Sequence, residues 1–410
     1  MNCRFCQAPV SLPLIDLVNA PPSNAYLTEA QLDEPETYFP LAVFVCESCW
    51  LVQVDEYQKS DEIFTGDYAY YSSVSSSWLE HCKAYTQSMT ARLGLTSASS
   101  VLEVASNDGY LLQYFVQAGI PALGVEPTAG TAAEARQKGV ETLGAFWGTR
   151  TAREVLEQRG SFDLMLGNNV LAHVPDINDF VQGFAIALAP EGTLTFEFPH
   201  LLNLLRHNQF DTIYHEHFSY LSLIAVKAIL EAHELCIYDV EELSTHGGSL
   251  RVFARRAEHK ALAVSERVAR VLDNERSAGL QGTDGYRGLQ LAADGIRKDL
   301  LQFLGEQKRA GRTVAAYGAA AKGNTLLNYC GVKGTELIEY VVDRAPAKQD
   351  MFMPGSHIPI VAEPRLKETQ PDFVLVLPWN ILPEIREQLA YIREWDGKFV
   401  TCIPEVCVHE

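Results

Sequence analysis

From residue 99 onwards the chain alternates short β-rich apolar runs with longer runs of helix-forming residues. This alternation is typical of a parallel sheet whose strands are joined by helices. Four strands are predicted first, and two more follow whose short connection, residues 244–248, indicates an antiparallel hairpin. The six predicted strands are 101–104, 121–126, 162–168, 192–198, 235–243 and 249–256.

The segments on either side of this pattern predict two further domains. Residues 1–65 are loop-rich, and prolines interrupt any long helix there. Residues 78–93 and 257–310 have helical composition, and a second α/β unit follows with strands at 312–318, 337–343, 372–378 and 398–404. Because 410 residues are too many for one core, we predict three domains: 1–65, 66–305 and 306–410.

Charge and composition exclude several classes of protein. The chain has 33 basic and 52 acidic residues and a net charge of −19. This charge repels phosphate backbones and disfavours a nucleic-acid binder, including a zinc finger of that kind, although a local cationic pocket could still take a small anionic substrate. No apolar run reaches the roughly 18 residues of a membrane span, and no signal peptide is evident. We expect a cytoplasmic protein, monomeric or weakly oligomeric.

Four of the nine cysteines form two Cys-x-x-Cys pairs, Cys3 with Cys6 and Cys46 with Cys49. Thiolates at positions i and i+3 suit adjacent corners of a tetrahedron, and a second pair completes it. The spacing therefore predicts a structural zinc site with no open coordination position. The alternative is four unliganded thiols in a reduced protein.

Polar residues follow the first three predicted strands of the central sheet. Glu103 lies at the end of the first, and the loop after it opens a helix and contains Ser106, Asn107, Asp108 and Gly109. In an open α/β sheet the ligand binds at the carboxyl ends of such strands, and a glycine in this loop allows the backbone to approach it closely. The loop lacks the glycine spacing of dinucleotide-binding proteins, which argues against NAD.

Glu126 ends the next strand, where a carboxylate can accept both ribose hydroxyls of an adenosine. Asn168 and Asn169, at the end of the third strand, can bond the adenine or methionine part of a cofactor. Each polar strand end alone could be a loop cap. Together they predict S-adenosylmethionine as the cofactor.

A dense polar segment, Tyr214-His215-Glu216-His217, follows the fourth strand and a helical stretch. A His-x-His pair is compatible with a metal, but no third or fourth ligand is evident nearby. A general base, with Tyr214 and Glu216 orienting the substrate and the base, fits better. The remaining alternative is a polar loop without function.

The motifs resemble one family when they are taken in order. They are the two CxxC pairs, YAYYSSVSSSW, EVASNDGYLL, GVEP, YHEHFSYLS, HGGSLRVF and YGAAAKGNTLLN. Over essentially the whole chain they resemble the sugar C-methyltransferases, whose best-known members methylate C-3 of TDP-deoxysugars. The resemblance implies an N-terminal zinc domain, a central class I methyltransferase domain and a C-terminal Rossmann-like domain, with the substrate between the last two.

The resemblance also implies residue roles. His217 corresponds to the proposed base, and Tyr214 and Glu216 line the sugar. A tyrosine of the YxY segment, Tyr70 or its neighbours Tyr68 and Tyr71, and His173 complete the pocket. Methylation next to a ketone requires an enolate, which a histidine base near neutral pH can generate.

The C-terminal unit contains a candidate phosphate site. The turn containing Lys322, Gly323 and Asn324 follows a strand and opens a helix, so its N–H groups and the lysine can hold a diphosphate. The alternative is a tight turn with an incidental lysine. Trp379 and Asn380, at another strand end, could meet a base or sugar.

Taken together, these features predict a methyltransferase that acts on carbon of a TDP-linked 4-keto-deoxysugar at C-3. The rival hypotheses are methylation of another small molecule, at an acidic carbon or an oxygen, and a catalytically silent nucleotide-sugar binding protein.

Overall fold

The structure is a computed structural model that describes residues 1–57 and 71–409. Its strands form three sheets of four, seven and six strands. Tyr70 and Tyr68, two of the three candidates for the pocket tyrosine, lie outside the described residues. The strands are β1 Leu12–Ala20, β2 Phe39–Val45, β3 Val52–Val54, β4 Val101–Val104, β5 Ala122–Val125, β6 Glu141–Leu143, β7 Phe162–Asn168, β8 Leu188–Pro199, β9 Ser219–Tyr220, β10 Leu235–Leu243, β11 Ser249–Arg256, β12 Val314–Tyr317, β13 Val341–Val342, β14 Ile360–Val361, β15 Phe373–Val376, β16 Lys398–Thr401 and β17 Cys407–His409.

The described α-helices connect these strands and cover both larger sheets. They are α1 Ser76–Leu93, α2 Leu112–Gln117, α3 Ala129–Gln137, α4 Thr149–Arg159, α5 Ile177–Ala187, α6 Leu201–Arg206, α7 Leu223–Ala232, α8 Glu266–Ser277, α9 Leu289–Arg309, α10 Ala321–Cys330, α11 Pro364–Thr369 and α12 Leu382–Gln388. None of these helices is long and apolar enough to cross a bilayer.

The central sheet confirms the predicted class I methyltransferase layout. Its order is β10-β11-β8-β7-β4-β5-β6, with β4 to β8 parallel and β10 and β11 antiparallel. All six predicted strands are present, and β4 ends at Val104, one residue beyond Glu103. The prediction missed β6, which has three residues and a single buried side chain, too short for a visible alternation. The carboxyl ends of β4, β5 and β7 consequently lie side by side.

The N-terminal segment contains more regular structure than predicted. Instead of loops alone, β1, β2 and β3 form an antiparallel sheet, and β9 from the middle of the chain joins its edge. Val52 pairs with Tyr220, so this sheet is completed by residues that directly follow the Tyr-His-Glu-His segment. The pairing of β1 with β2 has two register shifts, which weaken the periodic signal, and a partner as distant in sequence as β9 is invisible to a local pattern.

The C-terminal sheet has the order β14-β13-β12-β15-β16-β17, with parallel pairing except for the last strand. The predicted strand at 337–343 is shorter than expected and covers only Val341–Val342.

The predicted helix at 257–310 is two helices, α8 and α9, separated by a glycine-rich connection. A side chain on Gly285 would lie 2.5 Å from the backbone of Gly279, so the chain folds tightly on itself there. The predicted boundary at 305 falls within α9, and the division at 65 and 305 stays a prediction.

Candidate active site

A cavity of about 730 Å³ is lined by residues from the N-terminal, central and C-terminal parts of the chain. The loops after β4, β5, β6 and β7, the Tyr-His-Glu-His segment and the start of α10 all contribute lining residues. The lining residues are Asn24, Glu56, Ser72, Trp78, Val104, Ala105, Asn107, Tyr110, Val125, Glu126, Pro127, Thr128, Ala145, Phe146, Trp147, Asn168, Asn169, Val170, Ala172, His173, Val174, Pro175, Asp176, Asp179, Phe180, Pro199, Tyr214, Glu216, His217, His246, Ala320, Ala321, Lys322 and Lys348.

Glu126 is held rigidly at the cavity wall. Its Oε2 accepts from the backbone N–H of Asn107 at 3.0 Å, and its Oε1 accepts from the N–H of Thr128 at 2.9 Å. Each carboxylate oxygen can accept a further bond. The carboxylate therefore retains acceptor capacity, and its predicted role as the ribose ligand of S-adenosylmethionine stays a prediction.

Asn168 and Asn169 supply polar groups that the described protein atoms do not satisfy. The amide oxygen and nitrogen of Asn168 are buried without a hydrogen-bond partner, and so is the amide oxygen of Asn169. Both side chains line the cavity. Buried amides of this kind are costly unless a ligand or water binds them, so this end of the cavity fits a polar cofactor.

The four other predicted cofactor residues around β4 do not line the cavity. Ser106 and Glu103 are completely buried, and burial raises the pKa of Glu103 to about 8. Asp108 accepts from Lys138 Nζ at 2.8 Å and from the Ser73 hydroxyl. A side chain on Gly109 would meet Ala135 and Val140 rather than a ligand. These residues shape and anchor the loop, whereas Asn107 reaches the cavity.

His217 is fixed in one tautomer by its neighbours. Its Nδ1 lies 3.0 Å from the carbonyl oxygen of Thr212, which can only accept, so Nδ1 carries the hydrogen. Its Nε2 therefore has the lone pair, and the Tyr214 hydroxyl donates to it at 2.8 Å. Burial lowers the pKa of His217 well below its usual value, and repulsion from His173 adds to this effect. The imidazole is therefore neutral at pH 7.

The two other histidines of this region, His173 and His215, lie in different surroundings. The ring centroids of His173 and His217 are 4.6 Å apart, and both residues line the cavity. Burial lowers the pKa of His173 to about 4. His215 instead points to the N-terminal sheet, with Nε2 3.2 Å from the carbonyl oxygen of Pro40. The alternation along the segment thus separates one histidine in the site from one in the core.

Glu216 is bound by the N-terminal part of the chain. Asn24 donates to its Oε1 at 2.6 Å, and both side chains line the cavity. Tyr71, the alternative to Tyr70 within the described residues, is partly exposed and does not line it.

The predicted phosphate-binding residues form a contiguous cluster. Lys322 lines the cavity, donates to Asn380 Oδ1 at 2.6 Å, and has its ammonium 5.1 Å from the ring centroid of Trp379. Trp379 in turn donates to Asp211 at 2.7 Å. Trp379 and Asn380 therefore hold Lys322 rather than line the cavity themselves.

Gly323 and Asn324, in the same turn as Lys322, have structural roles and contact other parts of the protein. A side chain on Gly323 would lie 2.7 Å from Leu377, which shows how closely α10 packs on the sheet. Asn324 donates to the carbonyl oxygen of Ser23 in the N-terminal segment.

Several lining residues were missed by the sequence-based prediction. Phe146 and Trp147 follow β6, the unpredicted strand, and place aromatic surface beside Glu126. His246 lies in the hairpin connection, where it has a φ of +54° and makes an edge contact with Trp78. Lys348 follows a two-residue strand that gave no pattern. The hairpin connection was the one detectable signal, because two glycines and a histidine there are unusual for a simple turn.

The four cysteines converge as predicted. The Sγ atoms of Cys3, Cys6, Cys46 and Cys49 all lie within 4.8 Å of one another, and two of the pairs are 3.5 Å apart. A tetrahedral Zn²⁺ with Zn–S bonds of about 2.3 Å places its sulfurs roughly 3.8 Å apart, so the arrangement fits this metal.

Arg4, between the first two cysteines, donates to the carbonyl oxygens of Val54 and Pro175. Pro175 itself lines the cavity. The cysteine site is therefore connected to the cavity wall.

Three family models match the chain: "Putative zinc binding domain" at residues 3–64, "Methyltransferase domain" at 78–239 and "C-methyltransferase C-terminal domain" at 244–404. The C-methyltransferase NovU of Streptomyces niveus is 36% identical over 406 residues, which cover 98% of this chain and 96% of NovU.

Solved structures match the chain only in part. The magnesium protoporphyrin IX methyltransferase ChlM of Synechocystis, with bound SAM, is 16% identical with a TM-score of 0.34, and the match covers 43% of this chain and 79% of ChlM. The CcbJ methyltransferase of Streptomyces caelestis is 13% identical with a TM-score of 0.35, covering 43% of this chain and 90% of CcbJ.

Proposed function

Because the chain belongs to the C-methyltransferase family that includes NovU, we propose that its acceptor is a nucleotide-linked keto sugar that is methylated at carbon. The protein is an S-adenosylmethionine-dependent methyltransferase with a zinc-binding N-terminal domain. We propose further that the acceptor is a TDP-linked 4-keto-deoxysugar and that the new carbon–carbon bond forms at C-3.

One observation carries the proposal: a single cavity is lined by a carboxylate and two amides left unsatisfied by the described residues, by a neutral histidine and by a lysine. Glu126, Asn168 and Asn169 suit a polar cofactor, His217 suits a base, and Lys322 supplies a positive charge. An acceptor that contacts both Lys322 and His217 needs an anionic group in addition to its reacting carbon. A sugar attached to a diphosphate has this form.

The tautomer of His217 indicates how the base works. Its Nε2 lone pair can take the proton from the carbon next to the keto group, while Thr212 holds the ring by Nδ1. For this, the Tyr214 hydroxyl must turn from Nε2 towards the substrate, where it can donate to the keto oxygen and stabilise the enolate. S-adenosylmethionine, when bound, supplies the electrophilic methyl group. The imidazolium loses its proton to solvent when the product leaves.

Glu216 and His173 complete the acceptor side of the site. Glu216 is fixed by Asn24 and can accept from a sugar hydroxyl. His173 remains neutral beside His217, so it adds no second positive charge next to the base.

The experiment is direct methyl transfer. Purified protein is incubated with S-adenosylmethionine and a TDP-4-keto-deoxysugar, and the product is examined by mass spectrometry and by NMR for a methyl group bonded to carbon. A product methylated only on oxygen would exclude the proposed chemistry. Turnover with a keto compound that lacks the nucleotide, at equal kcat/KM, would exclude the proposed substrate class and favour the small-molecule alternative.

A further inference from the structure

A second lysine lines the same cavity as Lys322. Lys348 comes from the loop after β13, and its side chain is only 18% exposed. Its Nζ donates to the carbonyl oxygen of Ala319 at 2.8 Å and lies 5.1 Å from the ring centroid of Tyr26. The nearest carboxylate oxygen, from Asp343, is 3.8 Å away, beyond hydrogen-bond distance.

The surroundings of Lys348 match those of Lys322 closely. Each ammonium rests on one aromatic ring, Tyr26 or Trp379, and donates to one neutral oxygen among the described residues. An ammonium has three donors. Each lysine therefore has two donors left for a ligand.

The charge of Lys348 is only partly neutralised by the protein. Asp343 is the acidic neighbour, but its oxygens accept from the backbone N–H groups of Ala319 and Ala345, both at 2.8 Å. Burial lowers the pKa of Lys348 and of Lys322, which shows that both cations are held away from bulk water. Buried cations of this kind are costly without an anionic partner.

The start of α10 is close to both lysines: Lys322 is its second residue, and Lys348 bonds the carbonyl oxygen of Ala319, just before the helix. This helix has ten residues, and its N-cap, Ala320, provides no side-chain acceptor for the first N–H groups. Ala320 and Ala321 line the cavity together with both lysines. The helix N-terminus adds free donors and a partial positive charge.

Tyr26 connects this arrangement to the N-terminal part of the chain. Its hydroxyl donates to the Ala319 carbonyl oxygen at 2.6 Å, the same oxygen that accepts from Lys348. Tyr26 therefore positions both the ring beneath the ammonium and the turn beside it.

We propose that Lys322 and Lys348, together with the N-terminus of α10, bind the two phosphate groups of a diphosphate, and that Tyr26 positions Lys348. This inference rests on the proposed function, because it takes the acceptor to be a nucleoside diphosphate derivative. It assigns recognition of the second phosphate to a residue outside the turn that contains Lys322.

The test compares thymidine 5′-diphosphate with thymidine 5′-monophosphate by calorimetry. Lys348→Met should weaken diphosphate binding about tenfold or more, the scale of one lost charge-assisted hydrogen bond, and weaken monophosphate binding clearly less. Lys348→Arg should restore most of the diphosphate affinity. Lys333→Met, which removes an exposed lysine beyond the far end of α10, is the matched control and should bind both ligands as the wild type does.

Two further measurements separate binding from folding. S-adenosylmethionine affinity should be unchanged in Lys348→Met, and KM for the nucleotide sugar should rise while kcat stays near the wild-type value. Tyr26→Phe keeps the ring but loses the bond to Ala319, so diphosphate affinity should fall by a smaller factor than in Lys348→Met.

The possible failures have different meanings. If wild-type protein does not bind thymidine 5′-diphosphate, the proposed function fails and the inference fails with it. If wild-type protein binds it and Lys348→Met binds it equally well, or loses both ligands by the same factor, only the inference is overturned. If Lys348→Met does not fold, unchanged diphosphate binding in Tyr26→Phe overturns the positioning role, and weak binding in Lys348→Arg overturns the role of the charge.

Discussion

The sharpest prediction concerns His217 and its neighbour His215, because the structure provides a matched pair. His217→Asn removes a ring that lines the cavity, and His215→Asn removes a ring that bonds the N-terminal sheet. Both histidines are held by a backbone carbonyl oxygen, that of Thr212 for His217 and that of Pro40 for His215. The two substitutions therefore disturb the fold in comparable ways and differ in chemistry.

The expected magnitudes follow from these contacts. Each variant loses one hydrogen bond to a backbone carbonyl oxygen, and His217→Asn also loses the bond from Tyr214. Each lost bond costs about 0.5–1.5 kcal/mol of unfolding free energy. His217→Asn in addition loses the general base, which lowers kcat about a hundredfold or more. A hundredfold loss corresponds to about 2.7 kcal/mol of barrier height. His215→Asn should keep most of its kcat.

The pH dependence of the wild type provides an independent check on the base. Burial lowers the pKa of His217 well below its usual value. A base with a lowered pKa keeps its lone pair to a lower pH, so kcat/KM should fall on the acid side only below about pH 6.5. This limb should be absent from the residual activity of His217→Asn.

The assay is steady-state methyl transfer with both ligands saturating, with calorimetry to show that each variant still binds them. Exchange of the substrate α-proton in heavy water, with an inert cofactor analogue, follows proton removal alone and should be lost in His217→Asn. Equal kcat values for the two variants, or a larger loss in His215→Asn, would refute the assignment of the base. A fully active His217→Asn would transfer that role to Tyr214 or Glu216.

Three further predictions concern the cysteine site, Glu126 and Glu103. Metal analysis should find about one zinc per chain, and Cys46→Ser should lower both zinc content and thermal stability; equal stability of metal-free protein would contradict a structural metal. Glu126→Gln should weaken S-adenosylmethionine binding by about 1–3 kcal/mol in calorimetry, and unchanged affinity would place the ribose elsewhere. Burial raises the pKa of Glu103 to about 8, so its stabilising contribution is complete below its unfolded pKa and is lost as the pH rises towards 8. Glu103→Gln should therefore gain stability relative to wild type between pH 5 and pH 8 in denaturant titrations, and parallel curves would show that the group is not buried in its protonated form.

The central sheet was predictable from sequence because its signals are local. Strands β4, β5, β7 and β8 are buried runs between helices, and the hairpin of β10 and β11 has a short connection. A residue that follows a parallel strand must lie at the carboxyl edge of the sheet, so Glu126, Asn168 and Asn169 could be placed before any coordinates. The cysteine pairs were predictable for a similar reason, since their spacing matches a known coordination geometry.

The same local reasoning failed to predict which residues line the cavity, because that depends on the direction of each side chain. Glu103 and Gly109 come from the correct loop but face the protein interior, and Asp108 is held by Lys138. The position of a residue in the sequence places it near the edge of the cavity. The packing of α1 and α3 then decides whether its side chain points into the cavity or into the protein interior. The N-terminal sheet was missed because its fourth strand, β9, lies far along the chain.

The pairing of two lysines in one cavity and the orientation of His217 were decided only by the tertiary structure. Asn24 reaches Glu216 across 192 residues, and Tyr26 reaches Ala319 across 293. Lys348 follows a strand of two residues and has no motif of its own. Sequence patterns reveal the hydrophobic periodicity and the ends of individual helices and strands, whereas these contacts depend on how the three sheets pack together. The sequence by itself therefore determined the fold class, the cysteine pairs and the polar strand ends that line the cavity. The packing of distant segments determined the tautomer of His217 and the position of the second lysine.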